Sequence, residues 1–339
     1  MQNKNIVTKS IIYGIAGFTL LLLVISLGTQ SPPNVQSSSI RDEQNNTEAS
    51  LENSTIHQGQ NYIKLLAQSM ENRVENDAAI LELTGMLPEV KNVSLSHMLN
   101  NTIEQLKGIP QNADIPKRQI ATDILEKYVD FHVVFFLMPN GDIYFIEPYA
   151  QQENLSKTNF AYRDYYKGVI NNNDTFLGNV IVSTASGLSQ AVMAVPIYSG
   201  ANGSLTGIWA GGLDMSQFSE NLQLLNLTNN ERIIYVDNLG QVVADSDIKS
   251  SNRNESFANL QGFKNAINGK SGTVKEIVNG TEMLVAYYPV KTISNNWAVL
   301  LIQPNTDNSV VLSSNYTTAN NRIMENDKQK EILLQNTSS

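Results

Sequence analysis

Two hydrophobic periods divide the chain. Ile63, Leu66, Met70, Val74, Ala78 and Leu81 recur at steps of three and four, which places one apolar stripe along a long amphipathic helix, bounded at residues 51–90. Shorter helical patterns follow around Leu95 to Leu106 and Ile115 to Tyr128. Beyond Tyr128 the period falls to two. "FHVVFFLM" and "DIYFIE" read as strands around the turn Pro139-Asn140-Gly141, and "NVIVS", "QAVMAVPIY" and "SLTGIWAGGLD" continue the sheet. A helix near Met215 to Leu227 leads into a second strand set: "RIIYVD", "QVVAD", "GTVKEIV", "EMLVAYYPV" and "NWAVLLIQP".

The two strand sets mirror each other. "FLMPNGDIYFI" matches "IYVDNLGQVVA", "MAVPIY" matches "AYYPVK", and "GIWAGGLD" matches "NNWAVLLI" through Trp209-Ala210 and Trp297-Ala298. Three correspondences in one order indicate a tandem repeat of a small antiparallel α+β unit. Pro196 and Pro289 fall at matching places inside strands. A proline cannot donate to a ladder, so both mark an edge or a strand end.

The N-terminus adds a membrane. Lys4 and Lys9 precede an uncharged run from Ile11 to Gly28. Eighteen residues at ~1.5 Å each nearly span a bilayer core of ~30 Å. The basic flank puts the N-terminus in the cytoplasm and everything after the run outside. A cleaved signal peptide is the alternative, with Ser26 and Gly28 near a cut site. The expected layout is a cytoplasmic tail at 1–10, an anchor at 11–28 and a polar, proline-marked linker at 29–50. Residues 51–304 follow as the folded part, and 305–339 as a polar tail without a second apolar span. Asn-x-Ser/Thr sequons at Asn45, Asn92, Asn154, Asn226, Asn279 and Asn336 are consistent with export.

A formal charge of −9 argues against nucleic acid and against anionic membrane surfaces. The chain has no cysteine, so disulfides, thiol nucleophiles and thiolate metal sites are excluded. His57, His97 and His132 are widely separated, and no nucleophile elbow, P-loop or dinucleotide fingerprint is present. The expectation is a protein that is not an enzyme and carries no cofactor.

The densest candidate chemistry is "NFAYRDYYKGVI", residues 159–170. Arg163 offers a planar fork of donors that fits a carboxylate, and Tyr165 and Tyr166 add hydroxyls while excluding water. The competing reading pairs Arg163 with Asp164 at a helix start and puts the tyrosines in the core. Asp214 ends an apolar strand, either as a pocket carboxylate or as the N-cap of the next helix. Tyr144, Tyr149 and Gln152 lead directly into the arginine segment and are further pocket candidates.

"RDYYKGVI", "VMAVPIY", "GIWAGGLDMSQF" and "SGTVKEIVNGTEMLVAYYPV…NWAVLLIQP" resemble the double Cache (dCache) family of extracytoplasmic sensors, as found in chemoreceptors and sensor histidine kinases. The likeness covers roughly residues 51–304. It implies two PAS-like antiparallel-sheet modules stacked on a long N-terminal helix, a membrane-distal one over about 91–228 and a proximal one over about 229–304. The resemblance also implies a ligand in the distal module. Arg163, Tyr165 and Tyr166 would hold a carboxylate, and Asp214 would meet an amine. Relatives that bind amino acids carry a Tyr-x-Asp step where this chain has Ile181 and Ser183.

The function these readings predict is a membrane-anchored extracytoplasmic sensor for a small solute, a carboxylate or amino-acid-like compound, feeding signal transduction or chemotaxis. Because the chain lacks a transmitter, the partner is a separate membrane protein such as a kinase or chemoreceptor, and a homodimer is left open. A cell-surface structural or adhesive glycoprotein is the alternative.

Overall fold

A computed structural model describes residues 36–99, 107–199, 203–225, 227, 230–247 and 255–304. The expected membrane segment at 11–28 and the tail at 305–339 lie outside the described residues. Among the described residues no helix is long and apolar enough to cross a membrane. The chain divides into Met1–Asn46 and Thr47–Ser339, and both sheets belong to the second unit.

Helix α1 spans Gln36–Gly85, so it begins inside the stretch expected as linker and stops short of residue 90. Pro88 opens the separate short helix α2, Pro88–Lys91. A proline lacks the N–H that would continue the first helix, and the residue before it avoids helical geometry. The expected helix after Leu95 is a single 3₁₀ turn, Ser94–Met98, with its remainder outside the described residues. Helix α3 covers Ile115–Lys127.

Among the described residues eleven strands form two antiparallel sheets. The first contains β1 (Phe131–Leu137), β2 (Ile143–Glu147), β3 (Phe176–Leu177), β4 (Ile181–Val182), β5 (Ser189–Tyr198) and β6 (Leu205–Asp214), in the order β2-β1-β6-β5-β3 with β4 also on β5. The second contains β7 (Arg232–Val236), β8 (Val242–Asp245), β9 (Gly272–Val278), β10 (Thr281–Lys291) and β11 (Asn296–Pro304), in the order β8-β7-β11-β10-β9. Replacing β1, β2, β3, β5 and β6 by β7, β8, β9, β10 and β11 turns one order into the other. The repeat seen in the sequence is therefore a repeat of topology.

Register fixes the correspondence residue by residue. Leu137 pairs with Ile208 and Val236 with Ala298, while Pro196 pairs with Ile208 and Pro289 with Ala298. The two prolines are thus true equivalents. Each sits where its strand has a neighbour on one side only, because β3 reaches no further than Ala194 and β9 no further than Tyr287. The tryptophans are not equivalent: Trp209 matches Val299, and Trp297 matches Gly207. The sequence match is off by two residues, one full pleat, which keeps both rings on the same inward face. Both are fully buried.

The stripe of α1 packs against both sheets. Ile63, Leu66, Met70, Val74, Ala78 and Leu81 share one core with Val134, Phe136 and Trp209 of the first sheet and Ile233, Tyr235 and Val299 of the second. The N-terminal part of the stripe meets the proximal module, where the Tyr235 hydroxyl donates to the Leu66 carbonyl at 2.8 Å. The C-terminal part meets the distal module, where Trp209 Nε1 donates to Thr84 Oγ1 at 3.0 Å. Arg73 pairs with Asp130 between them, its guanidinium 3.9 Å from the Phe218 ring.

The far face of each sheet has its own apolar cluster. Helices α4 (Tyr149–Glu153) and α5 (Asp164–Asn172) flank the distal one. Helix α6 (Met215–Gln223) leads into the proximal module, and α7 (Gln261–Ile267) covers its outer cluster.

The modules also touch directly. Asp237, fully buried, accepts the Val180 N–H at 2.9 Å and the Leu239 and Gln241 N–H groups at 2.9 Å each. Ser294 Oγ accepts from Leu177 N at 2.6 Å. The segment carrying β3 and β4 is thereby fastened to the proximal module.

Candidate ligand pocket in the distal module

The pocket opens on the outer face of the first sheet and encloses about 380 Å³ of free space, its open mouth included. Its floor is Val133 and Phe135 of β1 with Ile143 and Ile146 of β2. One wall is Gln151, Leu155 and Phe160. Arg163 and Tyr165 stand at the start of α5, and Ile181, Ser183, Thr184, Ala185 and Gln190 form the opposite side.

Local geometry explains why Arg163 faces this space. A tight turn at Gly141, φ +87°, returns the chain from β1 to β2. Phe160 N donates to the Gly141 carbonyl at 2.8 Å, which pins the approach to α5. A Cβ on Gly141 would lie 2.7 Å from Ala161 N, so only glycine fits. Arg163 then occupies the extended position before the first helical turn, φ −71° and ψ 148°.

Arg163 is not paired with Asp164. The Asp164 carboxylate accepts the N–H groups of Tyr165 at 2.8 Å and Asn179 at 2.7 Å. Among the described residues no ion pair is made by Arg163: one terminal nitrogen donates to the Val182 carbonyl at 3.3 Å, and Nε is buried without a partner. Its guanidinium lies 5.1 Å from the Tyr162 ring, which is stacked on Phe160. Tyr165 is buried with its ring edge-on to Phe135, and burial pushes its hydroxyl above the ordinary value.

The other named candidates divide. Ser183 lines the pocket, and its hydroxyl oxygen accepts from Ala185 N and Ser186 N. Tyr144 lies on the opposite face, in the core against α1, with its hydroxyl donating to Asp114 at 2.8 Å. Tyr149 turns its ring to Arg118, 5.4 Å away. The Tyr166 hydroxyl donates to the Pro139 carbonyl at 2.6 Å. Gln152 is fully buried and bonds to Ile146 N and the Ile109 carbonyl. Asp214 caps α6: Oδ1 accepts Ser216 N at 2.9 Å and Ser216 Oγ at 2.6 Å. Arg163, Tyr165 and Ser183 thus share the pocket; Tyr144, Tyr149, Tyr166 and Asp214 do not line it.

Two polar residues went unnoticed in the sequence. Gln190 is buried, and Gln151 donates through Nε2 to the His132 carbonyl at 3.1 Å. The Oε1 atoms of both have no hydrogen-bond partner. A signal existed for Gln190: it shares a strand face with Val192 and Ala194, so an amide stands at an inward position of an apolar strand. Gly212 makes room for it, since a Cβ there would lie 2.5 Å from Gln190 Oε1.

The chain belongs to the Cache-domain family dCache_1, which matches residues 47–310. No curated protein sequence matches it. Among solved structures it resembles the ligand-binding domain of the Pseudomonas aeruginosa PAO1 amino acid chemoreceptor PctB in complex with L-Gln, at 13% identity and TM-score 0.54 over 77% of this chain and 94% of that one. The same domain with L-Arg gives 12% identity and TM-score 0.55 over 77% and 100%. The ligand-binding domain of the Campylobacter jejuni chemoreceptor Tlp3 with 4-methylisoleucine gives 15% identity and TM-score 0.52 over 78% and 97%. At such identities the likeness is one of fold.

Proposed function

We propose that this protein is an extracytoplasmic sensor that binds a small carboxylate at Arg163 in the distal module. The observation that carries the reading is a guanidinium beside an apolar pocket with no counter-charge of its own. Part of that guanidinium is out of water, its Nε being buried, and a bound carboxylate would supply two charge-assisted hydrogen bonds in a geometry that guanidinium matches. The domains it resembles come from chemoreceptors and hold L-Gln in one case and 4-methylisoleucine in another. The protein is a receptor and not a catalyst, held by one segment at residues 11–28 with its N-terminus in the cytoplasm, and it passes occupancy to a separate membrane partner. Titration calorimetry of the full chain in detergent against small carboxylates tests the site, with matched esters as controls. Binding of acids and not of esters is expected; indifference to the carboxylate would remove Arg163 from the site. Retention in the membrane pellet after carbonate washing tests the anchor, and a shorter soluble form would show cleavage.

A further inference from the structure

The second module shows which pocket residues the fold itself requires. By register Gln190 corresponds to Met283, because Pro196 and Pro289 are equivalent and both strands run without a break from there. Arg163 corresponds to Leu260: Arg163 N bonds to the Phe160 carbonyl and Leu260 N to the Phe257 carbonyl, while Phe160 N and Phe257 N reach the turn carbonyls of Gly141 and Gly240. Two of the pocket's polar residues, Arg163 and Gln190, therefore stand where the second module carries an apolar side chain. The fold does not require a polar residue at either place, although Gln190 also meets the His132 side chain.

That polarity has one sign. Among the described residues Arg163 is the only charged one lining the pocket, and the lining contains no carboxylate. The Asp214 Oδ1 is committed to the α6 cap, and Ser183 Oγ already accepts two backbone donors. Beyond Arg163 the lining offers the hydroxyls of Tyr165, Ser183 and Thr184 and two amide oxygens, Gln151 Oε1 and Gln190 Oε1, that lack a partner among the described residues. Neutral acceptors suit a hydroxyl. An ammonium would enter this space without a counter-charge, and burying an unpaired ion is far costlier than burying a hydrogen-bonded hydroxyl.

Resting on the carboxylate reading of Arg163, we infer that the ligand is a small aliphatic hydroxycarboxylate and not an α-amino acid. Arg163 takes the carboxylate, Gln190 and Gln151 accept from the hydroxyl, and Val133, Ile143 and Leu155 hold the aliphatic body.

Calorimetric titration of the full chain with matched triads tests this: lactate, alanine and propionate; 2-hydroxyisovalerate, valine and isovalerate; 2-hydroxyisocaproate, leucine and isocaproate. In the triad that fits, the hydroxy acid is expected to bind roughly threefold to tenfold tighter than the unsubstituted acid, the worth of one net hydrogen bond. It should bind more than about tenfold tighter than the amino acid. Gln190→Met, which installs the second module's residue, should bring the affinity ratio of hydroxy acid to unsubstituted acid down to about one. An amino acid binding as tightly as its hydroxy analogue would overturn the inference, and so would a Gln190→Met loss shared equally by both acids. If an amino acid binds and Arg163→Leu abolishes it, the carboxylate reading survives alone. If no member of any triad binds at millimolar concentration, both readings fall.

Discussion

Arg163 and Leu260 hold the same place in the two modules, each accepting into its carbonyl the N–H of a lysine one helical turn ahead, Lys167 at 3.1 Å and Lys264 at 3.1 Å. The architecture therefore tolerates a leucine at this point. Arg163→Leu is the informative substitution, because it asks for nothing that the second module does not already contain. Carboxylate affinity should fall at least about thirtyfold, the effect of removing ~2 kcal/mol or more from a charged, partly buried pair. The melting temperature should barely change. A variant that binds normally, or that unfolds, would make Arg163 a structural residue.

Lys117 is a cation that the structure does need. It is fully buried between the rings of Phe136 and Tyr144, 4.6 and 4.4 Å from its ammonium, and it pairs with Asp114 at 3.1 Å. Burial pulls its pKa down while Asp114 pushes it back up. Lys117→Ala leaves the Asp114 carboxylate and the Asn92 carbonyl without the ammonium they share and opens a cavity, so it should cost about 3 kcal/mol or more in denaturant unfolding. A loss under ~1 kcal/mol would show that Asp114 finds water instead.

Gly141→Ala should destabilise by about 2 kcal/mol, from a left-handed φ of +87° and a Cβ 2.7 Å from Ala161 N. Ala161 lies two residues before Arg163, so ligand affinity should fall with stability. Gly240→Ala meets the same obstacle at Ala258 but is remote from the pocket, and it should destabilise without changing affinity once the protein is folded. Parallel denaturation and binding curves separate the two.

His132 makes stability depend on pH. Burial lowers its pKa from the ordinary 6.5, against smaller opposing contributions from Gln190 and Asp214. A value lower in the folded than in the unfolded chain means that stability is fully present above the unfolded pKa and is lost as pH falls through the folded one. The denaturation midpoint should drop between about pH 7 and about pH 5, and His132→Asn should flatten that part of the profile. Identical slopes in both proteins would place the acid sensitivity elsewhere.

Elements with a strong period were legible in the sequence. The α1 stripe, the strand pairs and the doubled module come from repeats of 3.6 and 2 that burial enforces over many residues. Lateral shifts by one pleat were not, as the tryptophans show, because a two-residue slip leaves every side chain on its original face. The pocket was legible only where chemistry stood out from its surroundings. Arg163 among tyrosines did, whereas Gln151 and Gln190 are ordinary amides until a fold puts them around one space. Tyr144 misled because strand β2 breaks alternation: Tyr144 and Phe145 both enter the core against α1, while Ile143 and Ile146 face the pocket. "NFAYRDYYKGVI" also has a counterpart, "SFANLQGFKNAI" at residues 256–267, hidden because the two differ where one module opens a pocket and the other packs on itself. There Glu276 supplies the carboxylate, accepting Gln261 N at 2.7 Å and Gly262 N at 3.0 Å.

The bond from Val180 to Asp237 and that from Leu177 to Ser294 give the pocket an unusual rear mounting. Ile181 and Ser183, which press on the ligand side, are one and three residues from an anchorage in the other module. A flap hinged on solvent would absorb binding work as its own loss of freedom. A wall held from behind has no such slack, so an inward step at Ile181 would tug on the turn that carries Asp237 and strain the strand pair beneath it. Occupancy would then leave the first module as a pull on β7 and β8 of the second.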